Sequence, residues 1–212
     1  MAVRQDAHVT MTDPLFLFAH GAGASSGSAW MQGWAARLQT LGRVVTFDYP
    51  YMRSKRRAPD PLPKLIAAHR EALHTARLDH DGAVFLIGKS MGSRVGCHVA
   101  LEEEVNGLIC LGYPLKGQTG AVRDEVLKKL KVPILFVQGT RDPLCPLDLL
   151  AATQRSMNAP QTLLVVESGD HSLQATRTHL KANALTQGDV DAAILAAIGD
   201  FIGEAGRVTR QR

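Results

Sequence analysis

The chain has 212 residues, 45% of them hydrophobic and 21% charged, which excludes a disordered or fibrous protein and allows a sizeable core within one domain. The formal net charge of +4 comes from scattered Lys and Arg, with one local run, RSKRR, at residues 53–57. That run reads as a solvated loop, and aromatic residues at 5% offer little for stacking on bases, so no nucleic-acid partner is expected.

In chain order, the N-terminal MAVRQDAHVTMTD is polar and lacks the apolar stretch of a secretory signal. No later apolar run approaches the roughly 20 residues of a membrane helix, so the expected location is the cytoplasm, without membrane contact. Short apolar runs then recur: LFLFAHG from Leu15, VVTFDYP from Val44, AVFLIG from Ala83, GLICLGYP from Gly107, PILFVQG from Pro133 and TLLVVESG from Thr162. They do not alternate polar with apolar residues, which predicts strands covered on both faces, as in a parallel sheet.

Helical spacing falls between them, from Ala29, Lys64, Ser93, Leu147 and Val190. In the first of these, Trp30, Trp34, Leu38 and Leu41 share one face, and the Met and Trp residues read as core filler. Alternating strands and helices predict right-handed crossovers and about six mostly parallel strands with helices on both faces. Residues 1–212 read as one domain, with a core over about residues 15–203 and a polar C-terminal tail, GRVTRQR, that frays. The three cysteines, Cys97, Cys110 and Cys145, have no metal-type spacing and suit a reducing compartment.

The chemistry concentrates in VFLIGKSMGSR, residues 84–94. In an open parallel sheet, residues just beyond a strand's carboxyl end meet the ligand, and Ser90 stands there. A G-x-S-x-G turn strains its serine, while Gly88 and Gly92 leave room for strand and helix to approach. The N–H of Met91, opening the next helix, can donate to a developing oxyanion. A second donor is expected from AHGAGASSG, residues 19–27, with Ala22 first and Gly21 or Gly23 next.

A serine needs a base held by an acid. Asp142 follows PILFVQG and His171 follows TLLVVESG, so the order Ser90, Asp142, His171 is that of an α/β-hydrolase. Taken singly, the serine turn, an Asp-Pro turn and a loop histidine are each commonplace. Three such residues at three strand ends make the catalytic reading the stronger one.

Asp170 adjoins the histidine on the same turn and should point elsewhere. His20 suits a loop-orienting role better than that of a base, and Cys145 reads as buried. The GKS triplet lacks the spacing of a phosphate-binding loop.

The blocks GKSMGSR, GLICLGYPL, RDEVLKKLKVPILFVQGTRDPLC and ESGDHSL, together with AHGAGA and FDYPYMRSKRRAPD, resemble the small α/β-hydrolase family that includes testis-expressed protein 30 and the hydrolase-like domain of a subunit of the NSL histone acetyltransferase complex. The likeness covers about residues 15–202 and is strongest to bacterial, dienelactone-hydrolase-like members. It implies an α/β-hydrolase fold with Ser90, Asp142 and His171 in the catalytic positions. Dienelactone hydrolases proper use a cysteine nucleophile, so the serine here does not imply lactone opening.

Residues 113–131 are too few for a lid domain, which predicts a shallow, open site for a small soluble ester or related acyl substrate. His20, Gly21 and Gly23, Lys89 beside the serine, and Tyr51 and Arg56 of the 49–63 loop are expected to line the substrate. If the basic run faces the pocket, a carboxylate or phosphate on the substrate is favoured. The expected activity is that of a serine esterase or thioesterase without metal or organic cofactor, as a monomer or homodimer. The alternative is a non-catalytic scaffold that binds a small molecule or a partner.

Overall fold

A computed structural model describes residues 13–117 and 120–209, with side chains through residue 205. The N-terminal tail to residue 12 and the last three residues of the predicted frayed tail lie outside the described residues, and residues 206–209 continue the final helix.

Six strands, β1 (Leu15–Ala19), β2 (Arg43–Phe47), β3 (Val84–Lys89), β4 (Gly107–Leu111), β5 (Ile134–Gly139) and β6 (Gln161–Val166), form one parallel sheet in the order β2-β1-β3-β4-β5-β6. Each apolar run is continuous because alternate residues feed two cores. Phe16, Phe18, Phe85 and Ile87 pack on one face with Met31, Trp34, Ile198 and Phe201. Leu15, Leu17, Val84 and Leu86 pack on the other with Leu73, Cys97, Leu127 and Leu150. Each such fully buried aliphatic or aromatic side chain contributes about 2 kcal/mol of transfer free energy before entropy is counted.

Helices α1 (Ala29–Leu38) and α8 (Gln187–Thr209) cover the first face. The second is covered by α3 (Leu62–Arg77), α4 (Met91–Val99), α5 (Glu125–Lys129) and α6 (Leu147–Gln154). The four-residue α2 (Pro50–Arg53) and the six-residue α7 (Arg177–Ala182) complete the set, and with α5 they fall where the spacing predicts no helix. The buried stripe of α1 is Met31, Trp34, Ala35 and Leu38; of the predicted face, Trp34 and Leu38 are in it, while Trp30 and Leu41 are only partly buried against the same core. Leu41 lies past the helix end, and Trp30 turns toward the sheet's upper rim, where its indole N–H donates to the Ser172 carbonyl at 3.0 Å.

From β1 the chain crosses outward to β2 and then back past β1 to β3. The loops leaving β1 and β3 therefore diverge, which opens a crevice at the carboxyl ends of the two strands. Two glycines make the close crossing behind that crevice possible. A Cβ on Gly92 would stand 2.4 Å from the Ala19 carbonyl oxygen, and one on Gly88 would stand 2.2 Å from the Ser93 nitrogen. Gly92→Ala is expected to destabilise the fold by about 3 kcal/mol or more, because backbone cannot yield as a side-chain tip can. Denaturant titration would show it, and a wild-type midpoint would contradict the tight crossing.

Among the described residues no helix is long and apolar enough to cross a membrane. Among its described residues, the interval between β4 and β5 holds an antiparallel bridge, Lys116 to Val122, and the five-residue α5.

Candidate active site

Ser90 follows β3 and caps α4 with φ 50° and ψ −113°, a left-handed backbone that costs a serine on the order of 1 kcal/mol or more. Its N–H is tied to the Leu111 carbonyl at 3.2 Å, and Ser93 Oγ donates to the Gly88 carbonyl at 2.5 Å, so the turn is clamped on both sides. Ser90 Oγ lies 2.8 Å from His171 Nε2, and His171 Nδ1 lies 2.7 Å from Asp142 Oδ2. The three side chains come from the ends of β3, β5 and β6 and form one hydrogen-bonded chain.

The Asp142 side chain is wholly buried. Burial alone would raise its pKa, but the His171 hydrogen bond and charge, the Leu144 N–H and the Gln138 amide outweigh burial and hold the carboxyl below its ordinary value. Leu144 N–H donates to Oδ1 at 2.8 Å, while Gln138 Nε2 donates to Oδ2 at 2.5 Å. The oxygen of the same Gln138 side chain accepts the Tyr113 N–H at 3.1 Å. Gln138 was not singled out from the sequence, although a glutamine inside the apolar run PILFVQG is the signal that could have found it.

Asp170, the rival acid, is turned away from the imidazole. Its Oδ1 accepts the Ser172 N–H at 2.7 Å and the Gln174 N–H at 3.0 Å, which shapes the loop that carries His171. Cys145 is buried, and burial pushes its thiol up to about 12, so it stays protonated at neutral pH.

The β1 loop reaches the nucleophile closely enough that a Cβ on Gly21 would stand 3.6 Å from the Ser90 Cβ. Two expectations for this region need correction. His20 and Tyr51 were expected to touch substrate, yet both are fully buried behind the loop. His20 Nδ1–H donates to the Gly21 carbonyl at 2.6 Å, and Nε2 accepts the Tyr49 N–H at 3.2 Å, which fixes a neutral ring. Burial lowers its pKa, so the nearby Asp48 carboxylate at 3.6 Å is not an ion-pair partner at neutral pH.

The Tyr51 hydroxyl donates to the Ala22 carbonyl at 3.0 Å, and burial pushes its pKa up to about 12. The carbonyls of Gly21 and Ala22 are thus held toward buried groups. In trans peptides the N–H points opposite to the carbonyl, so the Ala22 and Gly23 N–H groups face the open side, and neither has an acceptor among the described residues.

Over Ser90 lies an open cavity of about 340 Å³ whose walls include Ala22, Trp30, Met31, Lys89 and His171, together with Gly21 and Gly23. Trp30, read from the sequence as core filler, is a wall of this cavity. The Lys89 ammonium sits 5.4 Å from the Trp30 ring centre and donates to the His171 carbonyl. Burial pulls its pKa down to about 8, against the opposing charges of Asp142 and Asp170. Trp30 and Lys89 therefore tie the 171–172 backbone to α1 and β3. Arg56 does not line this cavity but a neighbouring cleft, where it is held by Asp60 at 2.6 Å. Met91, the first residue of α4, is partly buried against the cluster formed by Ala19, Tyr49, Tyr51, Leu65 and Val95.

A serine on a strand-to-helix turn, followed in chain order by a carboxylate and a histidine at the carboxyl edge of a parallel sheet, is the arrangement of the α/β-hydrolases. The model of the alpha/beta hydrolase domain matches residues 12–202, and the chain belongs to that family. Its fold is similar to that of a dienelactone hydrolase from Anabaena variabilis, at TM-score 0.68 and 17% identity over 92% of this chain and 88% of that one. It is similar to an alpha-beta serine hydrolase homologue from Coxiella burnetii, at TM-score 0.65 and 19% identity over 76% and 78% of the two chains. The RedJ thioesterase of the prodiginine biosynthetic pathway in Streptomyces coelicolor also matches, at TM-score 0.62 and 18% identity over 89% and 85%.

Proposed function

We propose that this protein is a serine hydrolase that cleaves a small carboxylic ester or thioester through an acyl-enzyme on Ser90. The observation that carries the reading is the relay of 2.8 Å and 2.7 Å hydrogen bonds from Ser90 through His171 to the buried Asp142. In this scheme Ser90 Oγ attacks the acyl carbon while His171 Nε2 takes its proton and then delivers it to the leaving group. Asp142 keeps the Nδ1–H tautomer and stabilises the imidazolium. The N–H groups of Ala22 and Met91 receive the oxyanion, and a water activated by His171 releases the acid.

The modest, uncovered cavity favours a short acyl group over a long lipid chain, because little apolar wall is available to bind one. That a thioesterase and a dienelactone hydrolase share the fold supports acyl substrates with either an oxygen or a sulfur leaving group. Within the family, we group the chain with bacterial relatives of testis-expressed protein 30 and propose a cytoplasmic location.

A fluorophosphonate probe tests the reading. The wild type should take the label and hydrolyse short p-nitrophenyl esters, and Ser90→Ala should do neither. A wild type that takes no label and turns over no ester is instead a binding scaffold.

A further inference from the structure

The β1 loop is one wall of the cavity over Ser90. On the other side of Ala22 and Gly23, which line both, lies a larger cleft of about 780 Å³. Arg53, Lys55, Arg56 and Arg57 line it, and among the described residues Asp48 is its only carboxylate. The basic run read from the sequence as a solvated loop is therefore gathered around a concavity that adjoins the nucleophile.

The charges in the cleft are unequally committed. Arg56 is held at 2.6 Å by Asp60, whose buried carboxylate also accepts from Lys64 at 3.2 Å. Asp48 accepts the Ser26 N–H at 2.7 Å. Arg53, Lys55 and Arg57 are exposed, and none has a carboxylate within ion-pair distance among the described residues. Lys55 also occupies a left-handed backbone position, φ 56°, where glycine or asparagine is the unstrained choice. The turn thus carries a long cationic side chain where a small residue would be cheaper. Several unneutralised cations around one concave surface focus a positive potential that attracts a multiply charged anion more than a single carboxylate.

The geometry points to a subsite for a phosphate-bearing leaving group: the substrate is a short acyl thioester whose thiol carries phosphates of the coenzyme A kind. The acyl chain lies in the Trp30 and Met31 cavity, the reacting carbonyl at Ala22, and the phosphates among Arg53, Lys55 and Arg57. This rests on the serine-hydrolase reading. Ser90 Oγ bonds to the acyl carbon as the carbon–sulfur bond breaks, and the thiolate takes the proton held by His171. Water then cleaves the acyl-enzyme, giving a carboxylic acid and a free thiol.

The test compares kcat/KM for butyryl-coenzyme A with that for butyryl-N-acetylcysteamine, the same reacting group without phosphate. Wild type and the triple variant Arg53→Ala, Lys55→Ala, Arg57→Ala are measured. Arg56 is kept because it neutralises buried Asp60. The wild type should favour the coenzyme A thioester about tenfold or more, through KM, and lose that preference as salt is raised. In the variant the ratio should fall toward one at an unchanged melting temperature. A wild-type ratio near one, or a ratio that survives in the variant, overturns the subsite while p-nitrophenyl ester turnover leaves the hydrolase standing. If no substrate turns over and no fluorophosphonate label is taken, calorimetric binding of free coenzyme A decides. Binding weakened about tenfold or more in the variant supports the subsite, and no binding to wild type overturns it.

Discussion

Alanine at Ser90 is expected to lower kcat on p-nitrophenyl acetate by a factor on the order of 10⁴ to 10⁶, with KM and the melting temperature close to wild type. The loss is large because, in the proposed reaction, the hydroxyl is the group that bonds to the substrate, and among the described residues His171 Nε2 at 2.8 Å has no other side-chain partner to activate. The fold is spared because the turn is held by its backbone bond to Leu111 and by Ser93, neither of which uses the Ser90 side chain. Glycine at the same position separates strain from chemistry. Ser90→Gly should be equally inactive yet more stable than Ser90→Ala by about 1 kcal/mol, since φ 50° with ψ −113° suits a residue without Cβ. Retention of more than a few per cent of wild-type activity in Ser90→Ala would remove the residue from the chemistry.

Asparagine at Asp142 should reduce kcat by about 10⁴ through the tautomer of His171, although shape and volume are kept. The Leu144 N–H at 2.8 Å keeps an oxygen at the Oδ1 position of the new amide. The amide nitrogen then falls where Oδ2 stood, facing both His171 Nδ1 and the Gln138 amide nitrogen, which lies 2.5 Å from that site. A nitrogen that donates cannot accept from Nδ1–H, so the ring must move its proton to Nε2 and loses the lone pair that faces Ser90. Two donors set against each other at Gln138 also cost stability, by about 1–3 kcal/mol for the unsatisfied group. The double variant Asp142→Asn with Gln138→Glu should recover part of the stability and none of the rate. An asparagine variant with near-wild-type turnover would show that Asp142 is a structural carboxylate only.

The sheet was legible because both its faces are buried. Runs such as LFLFA in β1 are apolar at every position for the reason that Leu15 and Leu17 enter one core and Phe16 and Phe18 the other. Helices α2, α5 and α7 escaped notice because four to six residues are too short to show a helical period. The positions of Ser90, Asp142 and His171 could be read because each follows a strand. What sequence could not supply was direction. His20 and Tyr51 lie at the right distance along the chain to reach a substrate, but their rings turn inward to hold the carbonyls of Gly21 and Ala22. Trp30 does both: it packs partly buried against the core as its spacing predicts, while the Ser172 carbonyl and the Lys89 ammonium hold its outer edge at the rim.

His171 follows β6, which has one neighbour, β5, whereas Ser90 follows β3, which has neighbours on both sides. Border strands open at lower free energy than interior ones. On warming, catalytic competence should therefore vanish before the helices melt, since parting β6 from β5 removes the imidazole and leaves most of the apolar interior intact. Lys89 and Trp30 act as the fastener against that parting. Thermal inactivation that ran ahead of the circular-dichroism transition, and further ahead once Trp30 was replaced by phenylalanine, would reveal how much of the enzyme's endurance resides in that one seam.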